Sequence, residues 1–264
     1  MPTDRASALF LFAHQDDEFG VFQVIEDCLR QGMRVRCAYL THGANGSAAT
    51  RNAESLAVLA QLGVAHDDIC FAGDQLGICD ARLSRHMPAA GAWLAHWMAA
   101  AGPGGAAGVG LVCLPAWEGG HHDHDALHVL GLQTASRLGL ADKVRQYALY
   151  NAFRCPGPFF RVLSPLAANG APQAAPIGWG ARWRYLRHCV AGYPSQRVTW
   201  IGLSPFVALH YLLDGRQQLQ PASLARIAER PHQGPLYYER RKFYTYEKLR
   251  HDIQQWLHAG PAPA

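Results

Sequence analysis

The chain has 264 residues, 49% of them hydrophobic, which is material for one large core or for a core with an appended lobe. Only 17% of residues are charged and the formal net charge is +4, with none of the Lys/Arg runs that a nucleic-acid binder needs, so that class of partner is excluded. Fourteen histidines add positive charge below neutral pH, which is compatible with an anionic substrate without demanding one.

Residues 7–13 form a short continuous apolar run, as expected of a strand buried on both faces. Residues 18–30 carry Phe19, Phe22, Val24, Ile25 and Leu29 at roughly helical spacing, and Gly32 follows as a helix stop. Residues 33–40 read as a second strand, closed by a loop over 41–46. A helix is predicted over 50–62, ending at Gly63, then a third strand over 68–72 and an Ala- and Trp-rich helix over 83–100. After the Gly-rich turn at 101–105 come a fourth strand over 108–114, a helix over 125–138 and a fifth strand over 146–152. Residues 155–180 are rich in Pro, Gly and Ala and read as an extended surface connection. Beyond them, 183–190 and 244–257 look helical and 197–201 resembles a strand. Strands alternating with helices imply an α/β fold, a Rossmann-like and mostly parallel sheet with helices on both faces. The reading is one domain over 1–264, with a core over about 7–152 and a C-terminal lobe over about 153–264 that lines the site. Such sheets place ligands beyond the carboxyl ends of their strands, where the strand order switches.

The seven cysteines are odd in number and include no Cys-x-x-Cys, so free thiols in a reducing compartment are expected. The N-terminal residues precede an apolar run too short for a secretory signal, and no stretch of about 18 apolar residues offers a membrane span. A soluble cytoplasmic protein is the expectation.

Two clusters carry chemistry. Ala13-His14-Gln15-Asp16-Asp17-Glu18 follows the first strand, and Glu118-Gly119-Gly120-His121-His122-Asp123-His124-Asp125 follows the fourth. A catalytic zinc takes three His or carboxylate ligands and leaves a position for water. His14 and Asp17, three residues apart at a helix start, can aim at one point, and a histidine of the second loop completes the set. Asp16 is placed to take a proton from water, and His121 to stabilise an oxyanion or the leaving amine. Asp is also a favoured helix cap, but carboxylates packed this closely are unfavourable without a cation.

The first cluster resembles the Ala-His-Pro-Asp-Asp-Glu signature of the PIG-L/LmbE-like N-deacetylases, and His121-His122-Asp123-His124 resembles their His-Pro-Asp-His motif. Arg51-Asn52-Ala53-Glu54, followed by Leu62-Gly63-Val64, is similar to their Arg-x-x-Glu helix, and Tyr193-Pro194-Ser195-Gln196 to a weaker feature. The resemblance implies His14, Asp17 and His124 as metal ligands, Asp16 as general base and His121 as auxiliary acid or stabiliser. It also implies Asp123 as the orienter of a histidine, and Arg51 and Asp74 as substrate contacts. Zinc is the implied metal, and ferrous iron suits the same donors. The implied reaction removes acetate from an N-acetylhexosamine unit of a small or lipid-linked amino-sugar substrate. The alternatives are another single-metal esterase or amidase and a non-catalytic sugar binder. Ordinary readings stand beside these roles: an Arg51–Glu54 ion pair on the helix and a turn residue at Asp74. Trp179, Trp183, Tyr193, Tyr237 and Tyr238 are read as core packing, with stacking on a sugar or lipid-linked substrate as the other reading. Gln15 and His122 replace the motif prolines. Gly119 and Gly120 stand where some relatives carry a carbonyl-polarising tyrosine, which leaves the oxyanion donor to be found elsewhere. His128, one helical turn past His124, reads as a packed residue or one that supports a ligand, rather than as a ligand itself.

Overall fold

A computed structural model describes residues 5–44 and 46–259. Residues 1–4, on which the signal-sequence reading rests, Asn45 of the predicted 41–46 loop and the 260–264 end of the single-domain range lie outside them. In chain order the elements are β1 (Ser7–Phe12), α1 (Phe22–Arg30), β2 (Arg34–Tyr39), α2 (Ala48–Leu62), β3 (Ile69–Phe71), α3 (Ala72–Leu76) and α4 (Met87–Ala99). Then come β4 (Val109–Pro115), α5 (His122–Arg137), β5 (Val144–Tyr147), β6 (Tyr150–Asn151), β7 (Arg161–Val162) and β8 (Gln173–Pro176). The chain continues with α6 (Trp179–Ala191), α7 (Arg197–Leu213), β9 (Arg216–Pro221), α8 (Tyr237–Arg240) and α9 (Tyr246–Ala259).

Seven strands form one sheet in the order β3-β2-β1-β4-β5-β9-β8. The first five are parallel, and β9 and β8 add an antiparallel edge. This is the expected mostly parallel α/β sheet. The side chains of β1 alternate between two cores. Leu9 and Leu11 pack with α4, α5 and α9 on one face, while Ala8, Phe10 and Phe12 pack with α1, α2, α6 and α7 on the other. The chain runs outward from β1 to β3, then returns to lay β4 on the opposite side of β1. The loops leaving β1 and β4 therefore meet at the switch in strand order, where an open α/β sheet forms its crevice.

Four readings of the sequence need correction. Residues 197–201 are not a strand but open α7: Val198, Thr199 and Ile201 are β-branched, yet Trp200, Leu203, Val207 and Tyr211 recur at helical spacing and are buried. The predicted strand over 146–152 breaks after Tyr147, because the Glu118 carboxylate takes the backbone N–H groups of Leu149 (2.7 Å) and Tyr150 (3.0 Å) and draws the chain into the β6–β7 pair. The fifth helix starts at His122 rather than 125, capped by His121, whose ring accepts the Asp123 N–H. The stretch 155–180 holds β7 and the edge strand β8, so it is partly woven into the sheets. All seven cysteines are free, and Cys28, Cys37, Cys113 and Cys189 are buried.

Candidate metal and active site

The loop after β1 turns sharply into a 3-10 turn at Asp17–Gly20. Asp16 stands at φ 128°, a conformation costly for a residue with a Cβ, held by a bond from its own N–H to Glu18 Oε2 (3.0 Å). Asp17 Oδ2 accepts the N–H groups of Ala13 (3.0 Å) and His14 (2.8 Å), leaving Oδ1 to face His124 Nε2 at 3.1 Å. His14 Nδ1 lies 3.1 Å from the same His124 Nε2. One donor atom each from His14, Asp17 and His124 lies within 4.8 Å of the others, and all three residues are buried.

The fit of this cluster to a divalent cation follows from its hydrogen bonds. His14 Nε2 is 3.2 Å from Asp123 Oδ2 and 3.2 Å from Asp80 Oδ1, so its proton belongs on that nitrogen and the Nδ1 lone pair faces Asp17 and His124. Asp123 is itself fixed by the N–H groups of Ala81 (2.7 Å) and Leu83 (3.0 Å). The electrostatics call for positive charge. Burial opposes protonation of His14, but Asp80, then Asp123 and Asp17, outweigh it and hold the imidazole well above its ordinary range. Burial likewise works against ionised Asp17, yet His124 and then His14 keep its carboxyl well below the usual carboxylate range. Two imidazoles and one carboxylate with converging lone pairs are a donor set that zinc or ferrous iron accepts. His14, Asp80 and His121 form a second set within the same span. Since Nε2 of His14 already faces two carboxylates, the fully buried first set is the better cradle.

These groups open onto a cavity of about 470 Å³ lined by His14, Asp16, Asp17, Arg51, Asp80, His121, Tyr150 and Tyr237 among others, a size that suits a sugar-sized ligand. The Asp16 carboxyl borders it, and burial, then the neighbouring Asp17 and Glu18, push its titration well above the carboxylate range. His121 lies edge-on to His14 with ring centroids 4.6 Å apart. Its Nδ1 accepts the Asp123 N–H at 3.2 Å, and burial, then repulsion from His14, lower its pKa well below the ordinary value. A ring that accepts this bond at Nδ1 carries its proton on Nε2.

Arg51, on α2, reaches Asp80 (Nη1 to Oδ2, 3.4 Å) rather than Glu54, which instead accepts the Ser195 N–H (2.9 Å) and hydroxyl (2.6 Å). Asp74 is not among the residues lining the cavity and bonds Asn52 on the protein surface; the aspartate beside Arg51 is Asp80. Gln15 donates to Thr41 O (3.0 Å) and Asn52 Oδ1 (2.9 Å), while its own carbonyl accepts from Gln196. His122 stacks on Tyr244 at 4.2 Å, and His128 bonds Pro115 O at 2.8 Å, a packed residue as expected. Of the C-terminal aromatics, Tyr193 and Tyr238 are core, Tyr237 lines the cavity, and Trp179 and Trp183 are on the surface.

Asp80 and Tyr150 line the cavity without having been legible in the sequence, and Tyr237 and Arg241 line it beside them. Asp80 follows the isolated His42–Cys79 bridge, a lone acid with no strand or helix pattern around it. Tyr150 is carried in by the Glu118 anchor, and its ring meets His124 edge-on at 5.5 Å. The two glycines before the second motif have a steric reason: a Cβ on Gly120 would stand 2.1 Å from Tyr150 O, and Gly119 has φ +71°.

Residues 9–135 match the family described as PIG-L, GlcNAc-PI de-N-acetylase. No curated protein matches the chain. Among solved structures, the antimicrobial A40926 pseudoaglycone deacetylase superposes with a TM-score of 0.61 at 19% identity, covering 83% of this chain and 98% of its own. The zinc-inhibited form of teicoplanin deacetylase gives 0.61 at 14% identity, covering 82% and 98%. N,N'-diacetylchitobiose deacetylase from Pyrococcus horikoshii gives 0.53 at 14%, covering 83% and 85%. Those structures share the α/β fold of this chain, whose residues 9–135 resemble the PIG-L family.

Proposed function

We propose that the protein hydrolyses the acetamide of an N-acetylhexosamine unit, releasing acetate and a free amine, with a divalent cation held by His14, Asp17 and His124. The observation that carries this reading is the convergence of those three donors beside the Asp16 carboxyl at the floor of a sugar-sized cavity. The PIG-L match over residues 9–135 and the shared fold of the deacetylase structures support it. When bound, zinc or ferrous iron supplies Lewis acidity that polarises an amide carbonyl and acidifies water.

The protein's own groups divide the remaining work. Asp16 takes the proton of the attacking water, and its upward-shifted titration suits it to carry that proton to the departing amine nitrogen. His121, neutral with Nε2–H, donates a hydrogen bond to the carbonyl oxygen as negative charge develops there. Tyr150 is the second polar group on the same wall and takes the place of the tyrosine missing before the second motif. Asp123 holds the tautomer of His14. Arg51 and Asp80 bind hydroxyls of the sugar, the part assigned on resemblance to Arg51 and Asp74. A panel of N-acetylhexosamine derivatives assayed for acetate, with and without chelator, tests the reading. Release that stops on chelation and returns with zinc or ferrous iron is expected; no release from any member, or release indifferent to chelator, contradicts it.

A further inference from the structure

α7 is apolar around its whole circumference. Trp200, Leu203, Val207 and Tyr211 face the core, while the opposite side leaves Val198 (86% exposed), Ile201 (67%), Leu209 (52%), Leu212 (55%) and Leu213 (78%) in solvent. Isolated exposed leucines need no explanation, but a stripe running the length of a 17-residue helix marks a surface made to be covered. Among the exposed residues of this helix the one formal charge is Arg197. The stripe is continuous with the candidate site, because Val198, Thr199 and Gly202 also line its cavity, and Phe243 (59% exposed) and Arg241 line it too.

The charges nearby choose between occupants. Arg184 and Arg216 are neutralised by Glu26 and Asp214. Arg187, Arg197, Arg241 and Lys242 are exposed and have no acidic partner among the described residues. A two-fold contact between copies through this face would set cations against cations. An apolar helix face flanked by unpaired cations is instead complementary to an anionic lipid surface, where side chains enter the acyl boundary and arginines meet headgroups. No described helix is long and apolar enough to cross a membrane, so the contact is one of lying on the surface. We propose that the outer face of α7 docks the protein on an anionic lipid bilayer, with the mouth of the cavity at the edge of the contact. Such docking is independent of the reaction carried out in the cavity.

Co-sedimentation of the full chain with vesicles of mixed phosphatidylcholine and phosphatidylglycerol, against vesicles of phosphatidylcholine alone, tests this. The wild type is expected to pellet with the anionic vesicles. Ile201→Glu/Leu209→Glu/Leu212→Glu, checked by circular dichroism and melting temperature, should lower the partition by roughly tenfold or more. Arg187→Glu/Arg197→Glu should lower it by roughly fivefold or more and only on anionic vesicles. The proposal is overturned if the wild type stays in the supernatant, or if a folded triple variant pellets as well as wild type. It is equally overturned if the wild type is a dimer in solution that the triple variant turns into a monomer, since the face would then belong to a second copy. Should the triple variant fail to fold, undiminished binding of the charge-reversal variant overturns it.

Discussion

Asp16 sits in a backbone conformation that costs on the order of 1–3 kcal/mol, and its carboxyl borders the cavity beside two further acids. Strain and charge crowding at one residue are paid back only if the carboxyl does chemistry there. Asp16→Asn keeps the shape and removes the base; turnover should fall by roughly 10²–10⁴ while metal content stays at the wild-type level. Near-normal acetate release by this variant would remove Asp16 from the mechanism. Asp80 belongs to the same scale. It faces both Arg51 and His14, so Asp80→Asn should raise KM for the sugar substrate by roughly tenfold, the worth of one or two charge-assisted hydrogen bonds, with a smaller change in kcat. A variant with unchanged KM would take Asp80 out of substrate binding. That His14 and Asp17 would meet a histidine of the second loop was readable, because both clusters lie in strand-end loops, and the structure brings His14, Asp17 and His124 together. Asp80 was not, because its position depends on a loop whose course is set by Asp123 binding the backbone of Ala81 and Leu83.

Among the elements, the decisive event is the break after β5. The buried Glu118 carboxylate accepts from Leu149, Tyr150 and the Asn151 amide (3.0 Å), and these bonds bring Tyr150 to the cavity. Apolar alternation over 146–152 carries no trace of this, since the competing acceptor lies about thirty residues earlier in the chain. α7 was misread for a similar reason: β-branched residues at its start favour a strand locally, and packing of Trp200, Leu203 and Val207 overrides them. Burial pushes Glu118 up to about 7 against an ordinary 4.5, its three hydrogen bonds notwithstanding. The folded protein therefore keeps this proton between pH 4.5 and 7 while the unfolded chain has lost it. The group's contribution to stability falls as pH rises through that window and is flat above it, by up to roughly 3 kcal/mol. Denaturation of chelated protein at pH 5 and pH 7.5 should show a stability decline that is smaller in Glu118→Gln. An identical decline in both proteins would mean that Glu118 does not titrate in that window.

At the scale of the whole molecule, the mostly parallel sheet was legible in the alternating strand and helix patterns, whereas the order β3-β2-β1-β4-β5 came from the structure. That order alone brings the His14 and His124 loops together across about 110 residues of sequence. The antiparallel edge of β9 and β8 was hidden, because its polar strands, such as Arg216–Pro221, carry no hydrophobic alternation. The proposed function rests on the parallel half, where two loops would jointly hold one cation. Calorimetric titration of chelated protein with zinc or ferrous iron, wild type beside His124→Ala, tests that most directly. Wild type should take up one equivalent, and the variant, folded by circular dichroism, should bind it at least about 100-fold more weakly after losing one of three ligands. One equivalent bound by His124→Ala with undiminished affinity would contradict the account.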